Sequence, residues 1–407
     1  MNSIYQPSLR LLRKSKNLTL KELSGITGIP FQKLSEMERG LCPVSDEYIC
    51  GIEKALGISL VEDSIEDRLI LDYYEKFLDV LFNGYSDITP FEEEINKLKT
   101  ECNESKYNYY ISVFEFVINC ILYQNYDDSN VPNNITDDKR IGSLYMIYKS
   151  YKYIDSNYRE SIRILDESMI MHMDYRLRAI AQYQKCYVYI RNFKIYDALS
   201  AIRISKLLFM KGSAYVRMYS CDYLTFKALL INSEYKSAIE IADQCLNSAE
   251  KLSLSSMHRS LIYRSIGLAY ILNRDYDKAI DYLNKSAIDD DKNEELILEY
   301  IYAYSLAENY KEAEKWIKKG SIIIKGKNNL IELKYWINFN RFINSNPDKI
   351  IVKTDKIINY YFNKRIHDAY IFYMDIKIML LERYRRYKEA FIEQKNKENH
   401  IIQLKNS

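Results

Sequence analysis

Apolar positions follow two rhythms along the chain. Over residues 7 to 60 they come in short bursts separated by glycines. "PSLRLLRKSK" has Pro7 near its start and apolar Leu9 and Leu12, which predicts a first short helix. Thr19 stands three residues before Glu22, a capping-box spacing that starts a second helix through "LKELSG". Gly25 and Gly28 bracket "GITG" and predict a turn there. A third helix is expected from about Pro30 to Glu38, with Gly40 placed to end it in a left-handed conformation. Leu20, Leu23, Ile26, Ile29, Leu34 and Met37 form an apolar set across both helices and their turn, suited to locking them at a steep angle.

After "SLVEDSIEDR" the bursts give way to long amphipathic segments, so a boundary is expected near residues 61 to 66. A large residue followed three positions later by a small one then recurs: Tyr158 with Ser161, Ile195 with Ala198, Tyr235 with Ala238, Tyr276 with Ala279, Tyr310 with Ala313 and Tyr387 with Ala390. Successive starts lie 37, 40, 41, 34 and 77 residues apart, so the last gap leaves room for one degenerate unit. In "LIYRSIGLAYILNRDYDKAIDYLNKS" the small Gly267 and Ala279 allow two helices to approach closely, while Tyr263, Ile266, Leu268, Tyr270, Tyr276, Ile280 and Leu283 fill the remaining space. The expected organisation is a head at 1–62, a linker helix with degenerate first repeats at 63–144, and a repeat region at 145–407.

Composition supports this picture. Among 407 residues, 47% are hydrophobic and 28% charged, the balance of a folded chain, and 6 Pro and 11 Gly leave long helices with few breakers. The 39 Tyr are expected mostly to pack helix against helix. The net charge of +2 excludes a polycation, so any nucleic-acid contact must be local. Seven scattered Cys without a CxxC pair point to reduced, mostly buried thiols. No signal-peptide pattern opens the chain, and "YYISVFEFVINCILY" is too short to span a bilayer and carries Glu115, so it reads as a core helix. A cytoplasmic protein with no membrane partner is expected.

Catalytic and metal chemistry leave no trace in the sequence. His172, His258, His367 and His400 fall in no zinc-ligand spacing, and no phosphate-binding loop, nucleophile elbow or dinucleotide fingerprint occurs. Asp289 to Asp291 lack the periodic oxygen ligands of a calcium loop and read as a solvated turn. The chain is expected to be no enzyme and to use no metal or cofactor.

The two short helices after Thr19 suit a helix-turn-helix, whose second helix enters the DNA major groove. Its outward positions are Phe31, Gln32, Lys33, Ser35 and Glu36. Gln pairs with adenine, Lys reaches guanine acceptors and Phe packs on a thymine methyl. Lys16, Lys21 and Arg39 are candidate phosphate contacts. Arg13 and Glu38 sit near helix ends, where a pair between the first and third helices would fasten the head; solvent or DNA contacts are the other option. The stretch "LTLKELSGITGIPFQKLSEMERG" followed by "PVSDEYICGIEKALGIS" resembles the Cro/repressor-type helix-turn-helix family over residues 7 to 60. The resemblance implies that Arg13 pairs with Glu38 and that Phe31, Gln32, Lys33 and Glu36 read bases. Leu20, where the family often places a polar Gln, and the bulky Phe31 depart from it. Eight basic against six acidic residues in 1–60 make one head a weak binder, so two heads on paired sites, and hence a homodimer, are expected.

The recurring hairpins resemble tetratricopeptide repeats, most closely over 258–318, less over 145–257 and least over 66–144 and 319–407. That resemblance implies a right-handed superhelix with a concave wall. Aligned by their small residues, the units place Tyr183, Tyr223, Arg264 and Leu298 at one level and Tyr187, Lys227, Leu268 and Tyr302 one turn later. Lys227 and Arg264 among aromatic residues suit an extended peptide with a carboxylate at one end, with Asn338 and Asn340 available for its backbone; solvated helix charge is the plainer alternative.

The fold class expected is all-α, a repressor-type helix-turn-helix domain followed by a tetratricopeptide-repeat superhelix. In order and size this resembles the RRNPP family, the peptide-responsive quorum-sensing transcription regulators of low-GC Gram-positive bacteria. The resemblance implies a cytoplasmic homodimer that binds double-stranded DNA and a short signalling peptide. Two other readings stay open: regulation through a phosphorelay or transcription partner held by the repeats, and a ligand-independent dimeric repressor. Dimerisation is expected near "YIFYMDIKIMLLERYRRYKEAF" or at the junction after the head.

Overall fold

The computed structural model describes residues 9–39, 41–42, 44–60, 63–84, 88–103, 105–172, 174–288 and 292–406. Pro7, Gly40 and the Asp289–Asp291 turn lie outside them. The described residues contain no strand, and the all-α expectation holds. The head comprises α1 (Leu9–Ser15), α2 (Leu20–Thr27), α3 (Phe31–Glu38) and α4 (Asp46–Leu56). Three longer helices follow: α5 (Ile65–Asn83), α6 (Thr89–Glu101) and α7 (Tyr109–Tyr123). Seven successive pairs complete the described chain: α8 (Lys139–Lys149) and α9 (Tyr158–Met171), α10 (Tyr175–Arg191) and α11 (Ile195–Lys211), α12 (Tyr215–Ile231) and α13 (Tyr235–Lys251), α14 (Ser256–Leu272) and α15 (Tyr276–Ala287), α16 (Glu294–Leu306) and α17 (Tyr310–Ile323), α18 (Lys327–Phe342) and α19 (Pro347–Asn363), α20 (His367–Arg383) and α21 (Tyr387–Asn406).

The chain divides into two compact units, Met1–Arg191 with Ser200–Cys221, and Asn192–Leu199 with Asp222–Ser407. In the first, the head has its own core of Leu9, Leu12, Leu23, Ile29, Leu34, Met37, Ile52, Leu56 and Leu60. The helices after the head centre on aromatic rings: Phe114 of α7 meets Tyr73 and Phe77 of α5 at 4.7 and 5.6 Å. In the second unit Trp336 is fully buried among Tyr302, Tyr335 and Phe339. Buried tyrosines need a partner for the hydroxyl. Tyr300 donates to Asn284 at 2.7 Å, Tyr145 to Asp128 at 2.7 Å, and Tyr335 shares a hydrogen bond with Thr354 at 3.0 Å.

Each large residue of the recurring motif is the first residue of the second helix of a pair, and its small partner is buried at the crossing. The degenerate unit is α19. Asn346 caps it, Pro347 opens it, and Ile350 fills the small-residue position with no exposed surface. In five of the seven pairs the turn passes through a residue in the left-handed region, namely Phe193, Ser233, Arg274, Glu308 and Arg385, each two positions before the next helix starts. No glycine marks these turns. Closing hydrogen bonds of the Schellman kind compensate, as in Asp275 N–H to Tyr270 C=O at 2.9 Å and Asn309 N–H to Tyr304 C=O at 2.9 Å. Asp275 and Asn309, each the next residue along, also cap the helices that follow.

Two local expectations are corrected. Gly25 lies inside α2, and the turn begins only at Gly28, whose φ of 73° ends that helix. Ile26 is 60% exposed because α2 turns that side away from the head core.

Close approach sets the tolerance of the pairs. A Cβ added at Gly267 would lie 2.7 Å from Leu283 Cδ2 and 3.3 Å from the Ala279 carbonyl, and Leu283 is fully buried. Gly267→Val is expected to destabilise by about 1–3 kcal/mol, read as a lower urea midpoint by circular dichroism. Gly25→Ala, where a Cβ meets nothing within 4 Å, is expected to gain about 0.5–1 kcal/mol from helix propensity.

Candidate functional site

Arg13 and Glu38 hold the head together. The Arg13 guanidinium donates to Glu38 from Nε at 2.6 Å and from Nη2 at 3.0 Å, and its Nη1 donates to the Leu18 carbonyl. Their side chains are only 9% and 6% exposed, so removing either leaves a buried charge without its partner. α2 starts with the capping box, Glu22 N–H donating to Thr19 Oγ1 at 3.1 Å and Thr19 N–H to Glu22 Oε2 at 2.7 Å. Leu20 is partly buried against the head core, so it packs rather than reaching outward.

α3 has no side-chain cap, which leaves its first N–H groups open to an external acceptor. Phe31 is 54% exposed and Gln32 is exposed beside it. Glu36 holds both neighbouring polar side chains, accepting from Gln32 Nε2 at 3.4 Å and pairing with Lys33 at 3.8 Å. Lys16, Lys21 and Arg39 are exposed. Gln32, Lys33 and Glu36 thus form one exchangeable polar row, with Phe31 at its head.

The nine candidate residues of the repeats do not share one environment. Tyr183 and Tyr187 lie in the first unit, where Arg217 stacks over Tyr183 at 5.1 Å and Arg191 over Tyr187 at 5.9 Å. The remaining seven lie in the second unit. There Lys227 sits 5.0 Å above the Tyr223 ring, and the Tyr223 hydroxyl contacts Ser265 Oγ at 3.1 Å. Lys227 as a whole residue is exposed, yet crowding around its ammonium, followed by the Arg264 charge, lowers its pKa. Arg264 pairs with Glu295, lies 3.7 Å from Glu299, and donates to Asn293 Oδ1 at 3.1 Å. Its Nε and Glu299 Oε2 are buried without a hydrogen-bond partner. Leu268 is partly exposed.

Three of the residues are otherwise occupied. Leu298 is 2% exposed and belongs to the core, which corrects its assignment to an open wall: α16 is apolar on nearly every side and packs inward. Tyr302 is 7% exposed and donates its hydroxyl to Glu332, which also accepts from Tyr361 at 2.6 Å. Asn338 donates to the Lys334 carbonyl of its own helix at 2.6 Å, while Asn340 donates to Ser305 Oγ at 2.7 Å. Sequence reading missed Glu299 and Glu332, since a lone Glu within an apolar helix carries no motif.

With this geometry in view, comparison with known proteins gives two findings. The Helix-turn-helix family matches residues 9–62. Residues 9–62 are a helix-turn-helix domain. No curated protein matches the chain. Similar solved structures include a Rap protein complexed with competence and sporulation factor, at 12% identity and TM-score 0.61 over 83% of this chain and 99% of that one. Aspartyl phosphate phosphatase F from Bacillus subtilis follows at 14% identity and TM-score 0.58, over 84% and 95%. The Rap conjugation gene regulator of plasmid pLS20, in complex with the Phr* peptide, matches at 12% identity and TM-score 0.53, over 81% and 95%. The chain therefore has a helix-turn-helix domain and the helical-repeat fold of the Rap proteins. No helix among the described residues is long and apolar enough to cross a membrane.

Two outcomes test this geometry. Glu38→Ala is expected to cost the head about 3–5 kcal/mol by leaving Arg13 uncompensated, read as lost amide protection in α1 to α3. Burial pushes the Glu299 pKa up to about 8, with Arg264 pulling it down and Glu295 and Glu332 pushing it up. The folded chain therefore holds this proton more tightly than the unfolded chain, so its stabilising effect is complete below the ordinary carboxylate range and fades as pH rises to about 8. Thermal melts of wild type and Glu299→Gln across that range are expected to diverge, the wild type losing ground with rising pH.

Proposed function

We propose that the protein is a sequence-specific DNA-binding regulator whose repeats bind a short peptide that alters DNA binding, and that it acts as a dimer without catalysis. The observation that carries the reading is the open polar row of α3, with exposed Phe31 and Gln32 and with Lys33 and Glu36 beside them, on a helix-turn-helix domain. Base reading is assigned to Phe31, Gln32, Lys33 and Glu36, and phosphate contact to Lys16, Lys21 and Arg39. DNA has only to displace two weak contacts to Glu36 to reach Gln32 and Lys33.

For the peptide, Lys227 and Arg264 supply adjacent cations beside the Tyr223 ring, a pairing that fits a carboxylate next to an apolar or aromatic side chain. Leu268 extends this surface in the proposal, while Leu298 and Tyr302 lie in the core and Asn338 is held by its own helix. The Phr* peptide complex of a similarly folded protein supports the reading. Regulation through a protein partner is the second reading, motivated by the same fold in aspartyl phosphate phosphatase F.

Selection of bound fragments from the organism's genomic DNA tests the proposal. Wild type is expected to enrich a shared motif that a folded Gln32→Ala, Lys33→Ala variant does not. The low-mass peptide fraction of the culture medium is then expected to shift binding of that fragment by wild type and not by Lys227→Glu. Equal enrichment by both proteins, or none by either, overturns the base-reading assignment and favours a protein partner.

A further inference from the structure

The head is mounted on the helices that follow it, inside one compact unit. Tyr109, the first residue of α7, packs its ring against the head core. Its hydroxyl donates to Asp138 Oδ2 at 2.6 Å, and Tyr110 donates to the same oxygen at 3.1 Å. The other Asp138 oxygen accepts the Arg140 N–H at 3.0 Å and caps α8. One residue earlier, Asp137 pairs with Arg10 of α1 at 3.2 Å. The turn Ile135–Asp137, which ends at the first aspartate and leads into the second, is seated on α8 so tightly that a Cβ at Gly142 would lie 2.8 Å from Thr136 Cα.

Asp138 is 2% exposed, and four donors converge on it. Such a site costs desolvation energy that an exposed cap would not, and cap geometry alone does not call for two tyrosine hydroxyls. The arrangement makes one rigid connection: head core to Tyr109, Tyr109 to Asp138, Asp138 to α8. Arg10 and Asp137 give a second point of attachment on α1, which fixes rotation as well as position. The reading face of α3 stays open in this mounted state.

We infer that Tyr109 and Asp138, with Arg10 and Asp137, are positioning residues that set the orientation of the DNA-reading head on the body. They touch no base. Their effect falls on DNA that must be met by two heads at a fixed spacing, because a loosely held second head has a lower effective concentration at its half-site. The DNA arm of the test rests on the proposed function; the distance arm does not.

The test compares full-length wild type with Arg10→Ala, Tyr109→Phe, and separately with Asp138→Asn, which keeps a capping side chain. Spin labels are placed on exposed Cys50 of α4 and on Arg163→Cys of α9, in a Cys42→Ala background with helicity checked. The wild-type distance distribution is expected to be narrow and that of the double variant broad. On the genomic fragment wild type selects, the double variant is expected to lose about tenfold affinity for two half-sites while staying within about twofold on one. A narrow distribution in the double variant overturns the inference, and so does equal loss on one and two half-sites, which would mean that the residues stabilise the head itself. If wild type selects no sequence, the DNA reading fails and the label distances alone decide.

Discussion

Six of the seven helix pairs in this chain bury a residue with little or no side chain near the start of the second helix. Gly267 against Leu283 and the Ala279 carbonyl is the tightest recorded glycine contact in the repeats of the second unit. A bulky residue there would separate two helices that bury their apolar faces in each other, and in a stack each pair supplies the surface for the next. The links are equally constrained. A non-glycine residue at positive φ costs roughly 1 kcal/mol, and it is tolerated at these turns because the helix end gains a closing hydrogen bond and, at Asp275 and Asn309, the next helix gains a cap. One short link therefore ends one helix, starts another and fixes the angle between them.

The abundance of tyrosine follows from the same geometry. A ring fills the space left beside a small residue, and its hydroxyl can reach a polar side chain on a neighbouring helix. Tyr335 with Thr354 and Tyr300 with Asn284 are neutral examples. Where the acceptor is a carboxylate the consequence is larger. Glu332 takes two tyrosine hydroxyls, and burial raises its pKa although those hydroxyls oppose the rise. Burial likewise pushes Asp138 up to about 7, against the pull of the Arg140 and Ile141 N–H groups.

Sequence pattern reveals the frame and conceals the contacts between distant segments. The capping box at Thr19 and Glu22 and the starts of six of the seven second helices are visible because each is set by residues three positions apart. α19 escapes the motif because Ile350 replaces the small residue, yet the Asn346-Pro347 pair, a cap followed by a first-turn proline, was a usable signal. The head–body connection is invisible for a different reason. Tyr109 and Asp138 are 29 residues apart, and "NITDD" reads as a solvated turn until α8 and α7 close over it. Leu298 fails in the opposite direction: a helix apolar on all sides gives no phase, so aligning repeats by a small residue cannot tell an open wall from a core.

Coupling between the repeats and the head needs an element linked to both. Within the first unit α8 is that element, joined to the head through Tyr109 and the Ile135–Asp137 turn. It packs against α9 and α10, the latter carrying Tyr183 and Tyr187, and it receives Asp138 at its start. A ligand that moved α10 would act on α8 directly, without an extended relay of side chains. It would have an effect only to the extent that it bound one arrangement of α8 and α10 more tightly than another. The polar make-up of the mount matters here. An exposed ion pair and a tyrosine hydroxyl on a buried carboxylate are contacts whose strength lies within reach of a ligand's binding energy.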